Sequence, residues 1–187
     1  MKRDIILAGV GGQGVLSVAA VIAKAAVKNG FFVRQSEVHG MAQRGGAVLS
    51  HLRMADKAIA SDLAPKGSVD LIVSMEPVES LRYVDFLAPR GVLLTADAPF
   101  INIPDYPDIS LVLKRIESFP IYRIIDTVAL GKATGLSRAV NMVMVGAASL
   151  FLPISVENIK KTIEEIFASK GQKVIDANQR AFELGRS

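Results

Sequence analysis

The run Asp4-Ile-Ile-Leu-Ala-Gly9-Val10-Gly11-Gly12-Gln13-Gly14 carries more fold information than any other stretch of this chain. Its first half is short, apolar and rich in branched residues, the pattern of a strand buried on both faces. Its second half, Gly9-Val-Gly-Gly-Gln-Gly14, has the spacing G-x-G-x-x-G. Val15 to Lys28 follows with an apolar face through Val15, Val18, Ala19, Ile22 and Ala26, and Asn29-Gly30 stops the helix. Phe31 to Ser36 reads as the second strand. Strand, glycine turn, helix and strand in this order predict a βαβ unit with parallel strands.

Working toward the C-terminus, Ala47–Met54 alternates Val48, Ser50, Leu52, Met54 against Leu49, His51, Arg53, which predicts a strand with one solvated face. Val69–Ser74, Val92–Thr95 and Ile121–Asp126 are further strands, and Pro77–Leu87 is a helix with proline at its start. Four of the eight prolines fall between Pro99 and Pro120, an irregular connection holding one helical insert, Ile109–Glu117. The remainder reads as helices at Thr127–Thr134, Ala139–Leu152, Ser155–Ala168 and Gln172–Leu184, with Ser155 as an N-cap. The expected fold is α/β: a Rossmann-like open, mostly parallel sheet with flanking helices. A single domain is expected, residues 1–126 bearing the sheet and 127–187 forming a helical C-terminal part.

Gly9, Gly11, Gly12 and Gly14 are the candidate cofactor-binding residues. They permit a tight turn, and the helix that follows offers free N–H groups and positive potential to a phosphate. The acid that a dinucleotide fold places at the tip of its second strand is missing: Arg34, Gln35 and Ser36 stand there, and Glu37 opens a loop. Packing of helix on sheet and binding of a phosphate-bearing ligand both remain open for this turn, with NAD(P) the less favoured ligand.

Ser36-Glu-Val-His-Gly-Met-Ala-Gln-Arg-Gly-Gly46 gathers a carboxylate, an imidazole, a carboxamide and a guanidinium among glycines, at the C-terminal end of a strand near the glycine turn. Ligands of open parallel sheets collect at that edge. A solvated connection whose glycines serve turns is the other reading of this stretch, and on the residues alone both remain open. His51 reads as a half-exposed sheet residue and not a ligand. Two histidines and no cysteine argue against a metal site in this chain. Glu76 and Glu79 flank Pro77 and read as helix-start acids favoured by the helix dipole. Asn141 reads as a partner for backbone groups or for another chain, and the small run Gly146-Ala-Ala-Ser149 permits close helix approach.

Together, Gly9-Val-Gly-Gly-Gln-Gly-Val15 and Ser36–Gly46 resemble the gamma subunit, or gamma domain, of the 2-oxoacid:ferredoxin oxidoreductases. The resemblance runs along nearly the whole chain, through Asp70-Leu-Ile-Val, Arg90-Gly91, Asp126-Thr-Val-Ala-Leu and Asn141-Met-Val-Met-Val-Gly-Ala-Ala-Ser. Members acting on pyruvate or 2-oxoglutarate usually carry a Gly-Pro-Glu-x-Arg-Gly-like loop. Gly40-Met-Ala-Gln-Arg-Gly45 departs from it toward the aryl-pyruvate branch. The resemblance implies oxidative decarboxylation of a 2-oxoacid such as indolepyruvate to an acyl-CoA. Thiamine diphosphate, magnesium and iron–sulfur clusters would sit on a larger partner subunit, with electrons passing to ferredoxin and CoA contacting this chain. It also implies roles at a shared site: Arg44 holding a carboxylate or phosphate, His39 gating a proton, Gln43 orienting.

Composition agrees. The chain has no cysteine to hold a cluster, and no Gly-Asp-Gly with a distal Asn-Asn to hold thiamine diphosphate. The isolated polypeptide is therefore expected to be inactive, with self-association left open. Its pI of about 9.4 comes with basic residues spread evenly, 11 against 8 acidic in residues 1–94 and 11 against 10 beyond, so no nucleic-acid partner is expected. Ala139–Val156 is uncharged for 18 residues, but Pro153 and several polar residues break it, so a buried helix and a cytoplasmic protein are expected rather than a membrane span.

Overall fold

A computed structural model describes residues 1–39, 45–101, 103–135 and 139–187, His39 through its backbone only. Six strands, β1 (Lys2–Val10), β2 (Phe32–His39), β3 (Ala47–Ala55), β4 (Val69–Ser74), β5 (Leu87–Ala96) and β6 (Tyr122–Ile125), form one sheet in the order β2-β3-β1-β4-β5-β6. The pairs β1–β4, β4–β5 and β5–β6 are parallel, whereas β3 is antiparallel to both β1 and β2. The expected open, mostly parallel α/β sheet is observed.

The first βαβ unit needs a correction. Strands β1 and β2 point the same way, as predicted, but they are not neighbours. Strand β3 lies between them, pairing Lys2↔Ala55 to Val10↔Ala47 on one side and Phe32↔Ala55 to His39↔Val48 on the other. That central position also explains why β3 lacks its predicted solvated face: His51, Leu52, Arg53, Met54 and Ala55 are all buried. Alternation across β1 supplies two cores. Ile5 and Leu7 face α1 (Val15–Lys28), α5 (Val140–Ser149), α6 (Val156–Phe167) and α7 (Gln172–Arg186); Ile6 and Ala8 face α2 (Pro77–Arg82) and α3 (Ile109–Glu117). Helix α4 (Thr127–Ala133) follows β6. The second helix is shorter than predicted, a 3-10 turn at Val84–Phe86 leading into a longer β5. Ser155 caps α6 as expected, its Oγ accepting from Asn158 N at 3.2 Å.

The second half of β3 carries buried polar chemistry. Asp4 is 0% and Arg53 is 7% exposed; Arg53 Nε and Nη2 reach the two carboxylate oxygens at 2.8 and 3.2 Å. His51, expected to be half-exposed, is 5% exposed: Nδ1 accepts from Ala64 N at 3.3 Å, and its ring meets Phe86 edge-on at 5.5 Å. Burial first, then the Arg53 charge, lowers its pKa from 6.5. The unfolded chain therefore takes up the imidazole proton before the fold does. Stability is expected to be complete above about pH 6.5 and to fall as pH drops below it. Urea midpoints at pH 7.5 and 5.5 check this, and His51→Gln should shrink the fall.

Candidate functional site

Strand β1 leads through α1 toward β2 on one side, and β4 leads through α2 to β5 on the other. The strand order thus reverses between β1 and β4, the place where open α/β sheets form their ligand crevice. A crevice of about 640 Å3 lies at the C-terminal edge there. Gly12, Gln13 and Ser17 form one wall, Met75 the floor, Pro99 and Phe100 the lip, and Thr127 and Asn141 the far side. Among its described lining residues none is charged. The polar groups offered are amides and hydroxyls.

The glycine turn is braced from within. Gln13 N donates to Val10 O at 3.0 Å, Gln13 Oε1 accepts from Val10 N at 2.8 Å, and Gln13 Nε2 donates to Met75 O at 3.1 Å, locking the turn to the end of β4. Gly9 closes β1 against Val15 and Met75, and Gly12 lines the crevice. Gly14 is the N-cap of α1 at φ 82°, and a Cβ there would stand 2.1 Å from Asn141 Nδ2. Only glycine fits this close left-handed approach, which presses Asn141 against the helix N-terminus.

The polar loop reaches the turn by a different route from the one its strand suggested. Its host β2 is one strand removed from β1, but the chain returns into β3, which is adjacent. Gly11 N donates to Gly46 O at 2.8 Å and Gly45 N to Gly11 O at 3.4 Å, clasping the end of the loop to the glycine turn. The Gly11 amide is thus engaged within the chain. His39 ends β2, and its side chain, Gln43 and Arg44 lie outside the described residues.

Five contributors escaped the sequence reading: Gln13, Ser17, Met75, Phe100 and Thr127. Three of them share a signal, since Met75, Phe100 and Thr127 sit within a few residues of the ends of parallel strands β4, β5 and β6. Glu76 and Glu79 are helix-start acids, as expected, but both are buried, at 1% and 5% exposure. Glu76 caps α2, accepting from Glu79 N at 2.8 Å, and also accepts from Phe100 N at 3.5 Å and from the Tyr106 hydroxyl. Burial and the Glu76 carboxylate raise the Tyr106 pKa, keeping the phenol a donor. One carboxylate thus holds the loop that forms the crevice lip.

An open α/β sheet with a glycine turn at its switch point and an uncharged crevice beside it places this chain in the class of folds whose ligands gather at the strand ends. Comparison with known proteins narrows the class. Residues 4–187 match the family described as pyruvate ferredoxin/flavodoxin oxidoreductase, and the chain belongs to that family. It is 36% identical over 194 residues to the indolepyruvate oxidoreductase subunit IorB of Thermococcus kodakarensis, covering 98% of this chain and 94% of that one. It is 30% identical over 187 residues to the 2-oxoglutarate synthase subunit KorC of Methanothermobacter marburgensis, covering 100% and 96%. The crystal structure of pyruvate oxidoreductase subunit PORC from Thermotoga maritima superimposes with a TM-score of 0.76 at 26% identity, over 99% of this chain and 95% of that one. These relatives are small subunits of oxidoreductases, and this chain is such a component of an enzyme rather than a free-standing dehydrogenase. Among the described residues no helix is long and apolar enough to cross a membrane, and no three His, Cys, Asp or Glu gather as a metal site.

Proposed function

We propose that this chain is the accessory, gamma-type subunit of a 2-oxoacid:ferredoxin oxidoreductase that converts an aryl pyruvate such as indolepyruvate to its acyl-CoA in the cytoplasm. The observation that carries the reading is identity of 30–36% to indolepyruvate oxidoreductase subunits along nearly the whole chain. Thiamine diphosphate, magnesium and the iron–sulfur clusters belong to a larger partner subunit, since this chain has no cysteine. Electrons leave that partner for ferredoxin.

What this chain contributes follows from its crevice. Gln13, Ser17, Thr127 and Asn141 suit the amide-bearing arm of CoA, which carries no charge, while the N–H groups of Gly12 and Gly14 at the start of α1 suit an anionic group. Gly9 and Gly11 shape the turn that presents them. His39, Gln43 and Arg44 act from the adjoining polar loop. The Arg44 guanidinium clamps the 2-oxoacid carboxylate or a CoA phosphate through its planar fork, Gln43 orients the substrate, and His39 holds a proton.

Anaerobic capture of this chain from its native cell, with a visible spectrum and mass spectrometry of what is retained, tests the subunit reading. The expected result is a larger chain with iron–sulfur absorbance and thiamine diphosphate. Turnover of indolepyruvate, phenylpyruvate, pyruvate and 2-oxoglutarate with a dye acceptor then names the substrate, the first two being expected to lead. In that assembly Arg44→Ala is expected to lower turnover at least tenfold, the scale of a lost charge-assisted contact of about 1.5–3 kcal/mol, without weakening assembly. Normal turnover by the variant would remove Arg44 from the site.

A further inference from the structure

A second cavity, of about 220 Å3, opens on the other side of the glycine turn, between the end of β1, helix α2 and the loop after β5. Its apolar wall is Val10, Val78 and Ile103, and its polar wall is Glu76, Glu79 and Tyr106, with Arg82 at the exposed rim. The two carboxylates differ sharply in how they are satisfied. Both oxygens of Glu76 accept donors from within the chain. Glu79 is 5% exposed, yet among the described residues its Oε2 makes no hydrogen bond. Arg82 Nε lies 3.2 Å from that oxygen without hydrogen-bond alignment, on a side chain that is 55% exposed. Two buried carboxylates against one rim guanidinium leave an excess negative charge among the described lining residues. A buried oxygen without a donor costs stability unless something else supplies one.

We infer that this cavity is a socket for one cationic side chain, arginine or lysine, of the partner subunit. The inference rests on the subunit reading above. A guanidinium or ammonium supplies the missing donor to Glu79 Oε2 and balances the charge, while its aliphatic stem lies along Val10, Val78 and Ile103. A divalent cation fits poorly, because it needs six or more oxygen ligands and Glu76 has its oxygens engaged. The surroundings match an anchor site: Phe100, Ile101 and Ile103 are exposed apolar residues beside the mouth, able to exclude water around a docked charge. The loop carrying them also forms the crevice lip, so docking here sets the partner against the proposed site.

Glu79→Gln separates this role from a structural one, because the two predict opposite signs. Burial raises the Glu79 pKa, so at neutral pH the charged form burdens the isolated chain and the amide should hold or raise its thermal midpoint. The same change should weaken capture of the larger chain about 30-fold or more, measured by dissociation constant with purified subunits. Loss of stability and affinity together, or unchanged affinity, overturns the socket while leaving the subunit reading intact. If the wild-type chain captures no larger chain, that reading fails by itself. The socket is then judged on the isolated chain: n-propylguanidinium should give saturable amide shifts at Gly45, Ala47 and Glu79 that vanish in Glu79→Gln. Absent or unchanged shifts overturn it.

Discussion

Asp4→Ala is expected to cost about 3–5 kcal/mol, the scale on which a buried charge left without its partner destabilises a protein. In a fold whose whole stability is about 5–15 kcal/mol, that is a large share. Asp4 sits in a strand between β3 and β4, with Arg53 reaching both of its oxygens from across the β1–β3 ladder. Without the carboxylate, Arg53 cannot withdraw. Its Nη1 is tethered to Ser61 O and Leu63 O, both at 2.9 Å, which hold the guanidinium beside the vacated space. Lys2, whose ammonium also lies 2.8 Å from Asp4, is half exposed and loses little. Urea denaturation with an unchanged m-value checks the loss. Lys66→Ala, which breaks the exposed Lys66–Asp85 pair, serves as the control and should shift stability by less than about 1 kcal/mol. Replacing Asp4 and Arg53 together by apolar residues should be milder than Asp4→Ala alone, because no orphaned charge remains. An Asp4→Ala loss below 1 kcal/mol would refute this account.

That ion pair also marks where the sequence was hard to read. Asp4 looks like a charged boundary before an apolar run, whereas it lies inside β1. Nothing local in the sequence connects it to Arg53, 49 residues on. The same long-range pairing hid the position of β3. A strand that alternates apolar and polar residues predicts one wet face, but Ser50, His51 and Arg53 meet partners from other elements and are buried. The local signals that were legible were of a different kind. The helical insert expected at Ile109–Glu117 between the proline-rich stretches is α3 at those bounds, and the N-cap chemistry of Ser155 fixed the start of α6. Both depend on residues within a few positions of each other.

The crevice divides in the same way. The G-x-G-x-x-G spacing announced a turn at the end of β1, and the turn is there, lining a cavity through Gly12 and Gln13. Much of its remaining lining is assembled by topology: Met75, Phe100 and Thr127 come together because β4, β5 and β6 run parallel and end at one edge. The polar loop joins them through backbone bonds between Gly11 and the Gly45-Gly46 pair, which no composition argument foresees. Buried acids were read from their helix position alone. Burial and the Tyr106 hydroxyl turned Glu76 from a plain cap into the tether of the crevice lip.

Gly146→Ala should destabilise the fold clearly, although it adds a single methyl group. Helices α5 and α7 cross through two glycines. A Cβ on Gly146 would stand 2.0 Å from Phe182 O, and one on Gly185 would stand 1.9 Å from Val143 O. Both obstacles are backbone, so no side chain can rotate away. The helices must part by about 1 Å even to bring the first contact to 3.0 Å. Parting them opens the core on both sides, since Met142 to Ser149 are all buried and Phe182 is fully so. It also stretches the 2.5 Å bond from Arg186 Nη1 to Ser149 Oγ at the end of the interface. Overpacking of this kind costs about 1–3 kcal/mol or more. The helix-propensity gain from glycine to alanine, about 1 kcal/mol, offsets part of it. Because both obstacles are backbone, the upper end of that cost is expected, leaving a net loss of about 2 kcal/mol in urea unfolding. Gly131→Ala gives the contrast inside α4, where among the described residues an added Cβ would find only Val140 side-chain atoms at 3.5 and 3.7 Å, ordinary contact distances. There the propensity term stands alone, and the chain should gain up to about 1 kcal/mol. The same substitution thus carries opposite signs at two helical glycines, and equal effects at both would show that the α5–α7 crossing is looser than its geometry states.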